Sequence, residues 1–255
     1  MSPLRLLSPA LFALAIIAAP PAASAQTFTD GQRDAIEAII KNYLVTHPEV
    51  LEDAMAELNK RQAAAEDEKH QASIEKNSDA IFNSPRNVTL GNKNGDVTFV
   101  EFFDYNCGYC KRAMADMLDL MKTDPKLKVV LKEFPVLSEG SVEAAKVAVA
   151  VRMQDPGGAK YLDFHQKLLG GRGPADKTRA LAAAKDAGLD VARIEKDMNN
   201  PEVRATIEEN FKLAESMGMN GTPSYVIGKQ VVIGAVGLEG LKEKIGIARC
   251  GKATC

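Results

Sequence analysis

Between Asp30 and Leu44 the apolar residues Ile36, Ile39, Ile40, Tyr43 and Leu44 recur at steps of three and four, the period of one helix face. His47-Pro48 interrupts the pattern, and Pro48 suits the first turn of a second helix. From Glu49 to Asn83 there is neither Gly nor Pro. Leu51, Met55 and Leu58 extend the stripe, after which residues 59–80 are rich in Ala and mixed charge. A polar helix of that length cannot bury itself against its own chain, so it reads as a solvated stalk, an interaction helix or a linker. The apolar stripe ahead of it has no partner in the pattern of its own chain. That predicts self-association through residues 30–60; the alternative is that these helices fold back onto the main domain.

Asn83-Ser84-Pro85 marks a boundary, and the pattern beyond it changes to β. Val88-Thr89-Leu90 and the apolar run Val97–Phe103 flank Asn94-Gly95, which predicts a hairpin. A helix over 111–121 follows, with Met114, Met117, Leu118 and Met121 as its buried face, and then a strand over 128–134 ended by Pro135. Residues 141–217 read as a run of helices: an Ala/Val-rich segment capped by Ser141, then 161–169, 176–187, 190–199 and a last one opened by Pro201. Two short runs, 224–227 and 230–233, separated by Gly228-Lys229, predict a second hairpin, and a helix over 238–245 closes the pattern. Strand, helix, strand, helical insertion, hairpin and helix make an α/β, thioredoxin-like domain over 86–255. Its helical subdomain is inserted at about 140–218, and a helical oligomerisation region and stalk over 26–85 precedes it.

The first 25 residues read as a secretory leader. Arg5 gives a basic start, residues 6–19 are apolar, and Ala23-Ser24-Ala25 is a small-residue cleavage signal before Gln26. The apolar run is shorter than the ~20 residues of a spanning helix. Cleavage after Ala25 predicts an exported, periplasmic protein, and removes one cation from a chain of net charge −2. No basic block points to nucleic acid. Trp is absent and aromatic residues make up 5% of the chain, so the core is mainly aliphatic.

Export changes the reading of the four cysteines, because thiols outside the cytoplasm are free to form disulfides. Cys107-Gly108-Tyr109-Cys110 lies between an apolar run and a helix-compatible segment, the layout of a dithiol redox site. The first helical turn has unsatisfied N–H groups and the positive end of the macrodipole, which favour a thiolate at Cys107. Cys107 is then the attacking sulfur, and Cys110, one turn further in and less exposed, the resolving one. The same spacing could be half of a zinc site, but Cys250, Cys255, His47, His70 and His165 make no convincing second half, and no resident metal is expected. The methionines of the 111–121 helix read as core filling rather than a copper box.

Phe102–Lys111, Lys132-Glu133-Phe134-Pro135 and Gly221-Thr222-Pro223, in this order around a helical insertion, resemble the DsbA superfamily of bacterial thiol-disulfide oxidoreductases over residues 86–247. The leading helices are similar to those of ScsC and Com1-like members, some of which oligomerise through them. The Gly108-Tyr109 dipeptide departs from the Pro-His of the strongly oxidising subgroup and, with Thr222 before the proline, is similar to the DsbC isomerases. The resemblance implies a cis Pro223 facing the dithiol, with Thr222 offering backbone groups to an extended substrate and a hydroxyl near the Cys107 sulfur. It also implies that Glu101 is a buried acid beneath the dithiol, its pKa raised, exchanging a proton with Cys110. Tyr105, Gly108 and Tyr109 are expected as substrate-contact surface, Lys132 and Glu133 as weaker tuning charges, and His165 as a packed helix residue.

The expected function is a thiol:disulfide isomerase or reductase acting on protein disulfides. It would use no cofactor beyond the Cys107–Cys110 pair and be served by a membrane redox partner. The alternatives are a DsbA-like oxidase and, in another class, a copper-binding envelope protein with Met217 and Met219 near Pro223 as soft ligands. Cys250 and Cys255 read either as a structural staple closing a small loop or as a second redox pair.

Overall fold

The computed structural model describes residues 28–255, so the leader and its cleavage site lie outside the described residues. The described chain divides into two compact units, one ending at Leu58 and the other running from Asn59 to Cys255.

In the first unit, α1 (Asp30–Thr46) is started by a capping box in which Thr29 and Gln32 satisfy each other's backbone N–H groups. His47 and Pro48 end it where the sequence predicts, and α2 (Glu49–Lys76) follows. No residue of α1 is buried; Ile39 is 67% exposed and Met55 of α2 64%.

The second unit begins within α2, earlier than the boundary expected near residue 85. Ile74 of α2 and Ile81 of the short α3 (Ser78–Phe82) are buried in one cluster with Val100, Phe102, Leu213 and Val226. The end of the long helix is therefore docked on the core through Ile74 rather than being free stalk. Asn77 interrupts the helix there, its amide bonded to the Ser73 carbonyl.

The sheet has five strands in the order β1-β3-β2-β4-β5: β1 Val88–Gly91, β2 Val97–Phe103, β3 Leu127–Glu133, β4 Ser224–Ile227 and β5 Gln230–Ile233. The expected hairpin at Asn94-Gly95 is not formed. β3 lies between β1 and β2, antiparallel to the first (Val88 beside Leu131) and parallel to the second (Val97 beside Leu127). The reason is burial: β2 is apolar on both faces and must sit centrally, whereas a hairpin partner would hold it beside the four-residue β1. Gly95 instead presses against the start of β3, where a Cβ would strike Lys126 O and Lys128 N. The second hairpin forms as expected, with Gly228 at φ +60° between β4 and β5.

Between β2 and β3 runs α4 (Gly108–Thr123), which begins at the dithiol rather than after it. Then come the inserted helices α5 (Glu139–Gln154), α6 (Ala159–Gly170), α7 (Lys177–Asp186), α8 (Val191–Asp197) and α9 (Pro201–Ser216), and finally α10 (Gly237–Cys250) after β5. Ser138, not Ser141, caps α5; Ser141 is buried and its hydroxyl is bonded to Asn106. The two faces of β2 separate the core by alternation. Phe99 and Phe103 face α4 and the insertion, while Val100 and Phe102 face α3 and α9. Met217 and Met219 lie buried in this second cluster and the cysteines in the first, so the structure does not bring these methionines to the dithiol.

Candidate active site

Cys107 is the N-cap of α4. Its sulfur accepts the Cys110 N–H at 3.2 Å, filling the role that Ser or Asp usually plays at that position. Its thiol also lies 3.2 Å from the Thr222 carbonyl oxygen, to which it donates. The Thr222–Pro223 bond is cis. Hydrogen bonding from the Cys110 thiol, with smaller contributions from the Thr222 hydroxyl and the N–H groups of Cys110 and Tyr109, outweighs burial and brings Cys107 down to about 6. Thr222 Oγ1 is buried and has no hydrogen-bond partner in this thiol state, so it is a donor left for the thiolate.

Cys110 is wholly buried and its thiol is pushed far up, first by burial and then by Cys107 and Glu101. Both cysteines are free thiols here. The expected order of exposure holds, but the margin is small: Cys107 is 6% exposed and Cys110 0%. What distinguishes Cys107 is a cleft of about 450 Å³ that opens on it between the first turn of α4 and residues 168–174.

Glu101 occupies the same face of β2 as Phe99 and Phe103, which is the face that α4 covers. It is 3% exposed, and burial, reinforced by Cys107 and Asp116, raises its carboxyl from 4.5 to about 8. Tyr109 stands at the surface, 59% exposed, with the Arg112 guanidinium 4.3 Å from its ring centre.

Tyr105 lines the cleft beside Cys107 with its body and takes part in a buried network with its hydroxyl. It is buried, its hydroxyl 3.3 Å from His165 Nδ1 and 3.4 Å from the Tyr161 hydroxyl, and it packs edge-on against Phe103. The Tyr161 hydroxyl donates to Glu133 at 2.6 Å. Burial drives Glu133 well up and lowers His165 to about 3, so this knot of polar groups is held neutral. Lys132, on the opposite sheet face, donates to Ala80 O and Asn87 Oδ1 and ties α3 to the sheet; burial lowers it to about 8.

Two neighbours quoted in the motif carry more of the loop than the sequence reveals. Asp104 Oδ1 accepts Asn106 N–H at 2.7 Å, and its Oδ2 accepts the N–H groups of Val136 and Leu137 at 2.9 and 3.0 Å. Asn106 donates to Ser141 Oγ and Ala175 O and accepts Ala175 N–H, lashing the dithiol loop to the inserted helices. The one local signal was an Asp directly after an apolar strand, where carboxylates commonly bond the next amides. Asp104→Ala leaves three part-buried backbone donors without that acceptor. It is expected to lower stability by roughly 3 kcal/mol, measured by denaturant melting of the reduced protein.

At the far end of α4, ~24 Å away by the helical rise, Arg249 of α10 bridges Asp124 and Asp96. The next residue, Cys250, forms a disulfide with Cys255. The loop folds back on α10 so closely that a Cβ at Gly246 would meet Lys252 and Ala253 carbonyls. This distance removes Cys250 and Cys255 as the second half of a zinc site with Cys107-Cys110. No group of three or more His, Cys, Asp or Glu side chains able to hold a metal lies among the described residues.

A strand-to-helix dithiol, an acidified N-cap thiol, a buried partner thiol and a facing cis-proline loop define a dithiol oxidoreductase on a thioredoxin fold. The chain belongs to the family of the DsbA-like thioredoxin domain, which it matches over residues 98–246, and residues 32–65 match the N-terminal domain of the copper resistance protein ScsC. A thioredoxin-like oxidoreductase from Silicibacter pomeroyi is 45% identical, covering 67% of this chain and 96% of its own, with a TM-score of 0.64. ScsC of Proteus mirabilis in a transitional conformation is 26% identical over 87% of this chain and 97% of its own (TM-score 0.63). BcfH of Salmonella enterica Typhimurium is 26% identical over 86% and 96% (TM-score 0.72). Two Na(+)/H(+) antiporters NhaA, from Herminiimonas arsenicoxydans and Salinispora arenicola, also match, but the chain spans only 21% and 25% of their lengths. No helix among the described residues is long and apolar enough to cross a membrane.

Proposed function

We propose that this protein is an exported disulfide isomerase or reductase of the bacterial envelope, acting on protein disulfides as an assembly of several copies. The dithiol supplies the chemistry. A Cys107 thiolate attacks a client disulfide; the client S–S bond breaks, a Cys107–client disulfide forms, and the departing client sulfur takes up a proton. In isomerisation a second client thiolate then attacks that client's sulfur and releases Cys107 as a thiolate. In reduction Cys110 loses its proton to Glu101 in its ionised form, a minority at pH 7 because burial raises that carboxyl to about 8, then attacks Cys107 and expels the client thiolate. The Cys107–Cys110 disulfide then needs two electrons and two protons from a membrane redox partner.

The single observation that favours isomerase work is the bare apolar stripe of the first unit. Ile39, Ile40, Tyr43, Leu51, Met55 and Leu58 are all about half-exposed or more, and burial between copies removes them from water. Their match to the ScsC N-terminal domain supports the same reading. Several dithiols carried on one assembly can grip a misfolded client while one attacks. Light scattering is expected to find an oligomer for the full mature chain and a monomer for a chain starting near Asn59. The shortened protein is expected to keep disulfide reduction and lose isomerisation of a scrambled multi-disulfide substrate. A monomeric full chain ends the assembly reading, and undiminished isomerisation by the shortened chain ends the functional one.

A DsbA-like oxidase is the second reading, favoured by the acidified Cys107, because a stabilised thiolate makes the disulfide form a stronger oxidant. The reduction potential of Cys107–Cys110 decides between the two. Cu(I) titration of the reduced protein tests the copper-binding alternative, in which tight binding would occur without turnover of disulfides. The Cys250–Cys255 bridge fits a staple of the C-terminal turn, its loop being lodged against α10 at the end of α4 remote from Cys107.

A further inference from the structure

The cleft beside Cys107 is not lined by Thr222 or Pro223. A client chain passing over the sulfur therefore meets two different surfaces, the Thr222–Pro223 loop and this cleft. Its floor contains the buried Leu168 and Leu169, and its rim Lys111, Gly171, Arg172 and Gly173.

Charge on this rim is of one sign. Lys111 Nζ donates to Gly171 O at 2.8 Å. Arg179, from the first turn of α7, donates through Nη2 to Leu168 O at 3.2 Å and through Nη1 to Gly173 O. Arg172 is exposed. None of these three cations has a carboxylate partner among the described residues, whereas Lys167 of α6, Lys177 of α7 and Arg193 of α8 are all paired. The nearest acid on α7, Asp176, is used as its N-cap, accepting Arg179 N–H at 2.8 Å. Lys111 and Arg179 thus occupy carbonyl acceptors of the 168–173 segment while keeping their charge. The cleft is left with satisfied acceptors, unneutralised cations and the positive end of α4.

We propose that this cleft selects the client, taking an acidic side chain that flanks the disulfide cysteine attacked by Cys107. Arg172 and Lys111 are its specificity-determining residues. The inference rests on the dithiol reading above and adds to it the class of client sequence. A peptide fits better than a small thiol. The cleft is open and continues from the sulfur over an apolar floor, which suits a chain running on past the cysteine.

The test uses the full-length reduced protein and cystine peptides identical except for Glu, Gln or Lys at the positions flanking the cysteine. The rate of mixed-disulfide formation is followed in single turnover. The Glu peptide is expected to react about tenfold faster than the Gln peptide at low ionic strength, with Lys slowest, and the ratio should shrink at about 0.5 M salt. In the doubly substituted Arg172→Gln, Lys111→Gln protein the Glu/Gln ratio is expected to fall to near one. Because the readout is a ratio within each protein, a general loss of reactivity does not imitate it. Equal rates for Glu and Gln peptides in the native chain overturn the assignment, as does a preference that survives the double substitution. A charge preference seen with oxidised glutathione but with no peptide assigns the cleft to small thiols instead. Neutral hydroxyethyl disulfide checks the underlying reading: if it and every peptide fail to react, the dithiol assignment falls and the cleft assignment with it.

Discussion

Cys107→Ser is expected to abolish thiol–disulfide exchange, lowering the rate more than a thousandfold, whereas Cys110→Ala still attacks and accumulates mixed disulfides with its clients. The asymmetry follows from geometry. Cys107 opens on the cleft and is held at about 6 by the Cys110 thiol, the Thr222 hydroxyl and the helix N–H groups, so most of it is thiolate at pH 7. Cys110 is sealed in the core and driven up by burial, so it reacts only with what Cys107 brings to it. Iodoacetamide labelling against pH checks this: the Cys110→Ala protein is expected to titrate with a midpoint clearly above 6 but below the 9.0 of an ordinary thiol, because the Cys110 thiol, the largest lowering contribution, is gone while Thr222 and the helix N–H groups remain. The Cys107→Ser protein should stay unlabelled across the neutral range. The sign for stability is set by the same shift. A thiol lowered from 9.0 to about 6 stabilises the folded reduced protein above pH 6, increasingly up to pH 9, and that contribution disappears as pH falls through 6. Reversed labelling, with Cys110 the faster and more acidic thiol, would exchange the two roles.

Glu101→Gln is expected to have opposite effects on stability and on turnover. The wild-type carboxyl, raised from 4.5 to about 8, stays largely neutral in the folded protein at pH 7 while its unfolded counterpart is ionised. Folding therefore bears a penalty that grows from pH 4.5 to 8 and is roughly 3 kcal/mol at pH 7. A neutral amide of nearly the same shape does not ionise, so the variant should melt higher at pH 7 and lose that advantage below pH 4.5. The resolving step should slow by about a hundredfold, because Cys110 has lost the group that receives its proton. The first attack by Cys107 should change much less. Stopped-flow separation of mixed-disulfide formation from its resolution checks the kinetic half. A variant that resolves at the wild-type rate would reduce Glu101 to a buried structural acid.

Much of the site was legible because its logic is local. A strand, two cysteines one turn apart and a helix are a few consecutive residues, and the N-terminal N–H groups that acidify the first thiol belong to the same turn. Glu101 was placed beneath the dithiol by the family resemblance, and the two-residue alternation of β2 puts it on the face with Phe99 and Phe103. The buried hydrogen bonding of Tyr105 was not legible, for the complementary reason. Nothing near it in the chain announces that Tyr161, His165 and Glu133, from the insertion and from β3, converge on its hydroxyl. Asp104 and Asn106 were visible as residues but not as the fastenings of the loop, since their partners outside the loop lie about 30 to 70 positions away.

The same division runs through the fold. Periodicity within the chain determined which segments are helix and strand, the β4–β5 hairpin with its Gly228 turn, and the apolar stripe of the first unit. Each depends on neighbours a few residues apart. Only the tertiary structure decided that β3 separates β1 from β2, that the end of α2 docks on the core through Ile74, and that Met217 and Met219 are packed away from the cysteines. It also decided that unpaired Lys111, Arg172 and Arg179 gather around one cleft at the nucleophile. These outcomes are set by which surfaces compete for burial and which charges are left unpaired when the chain has closed, quantities that no local stretch of sequence contains.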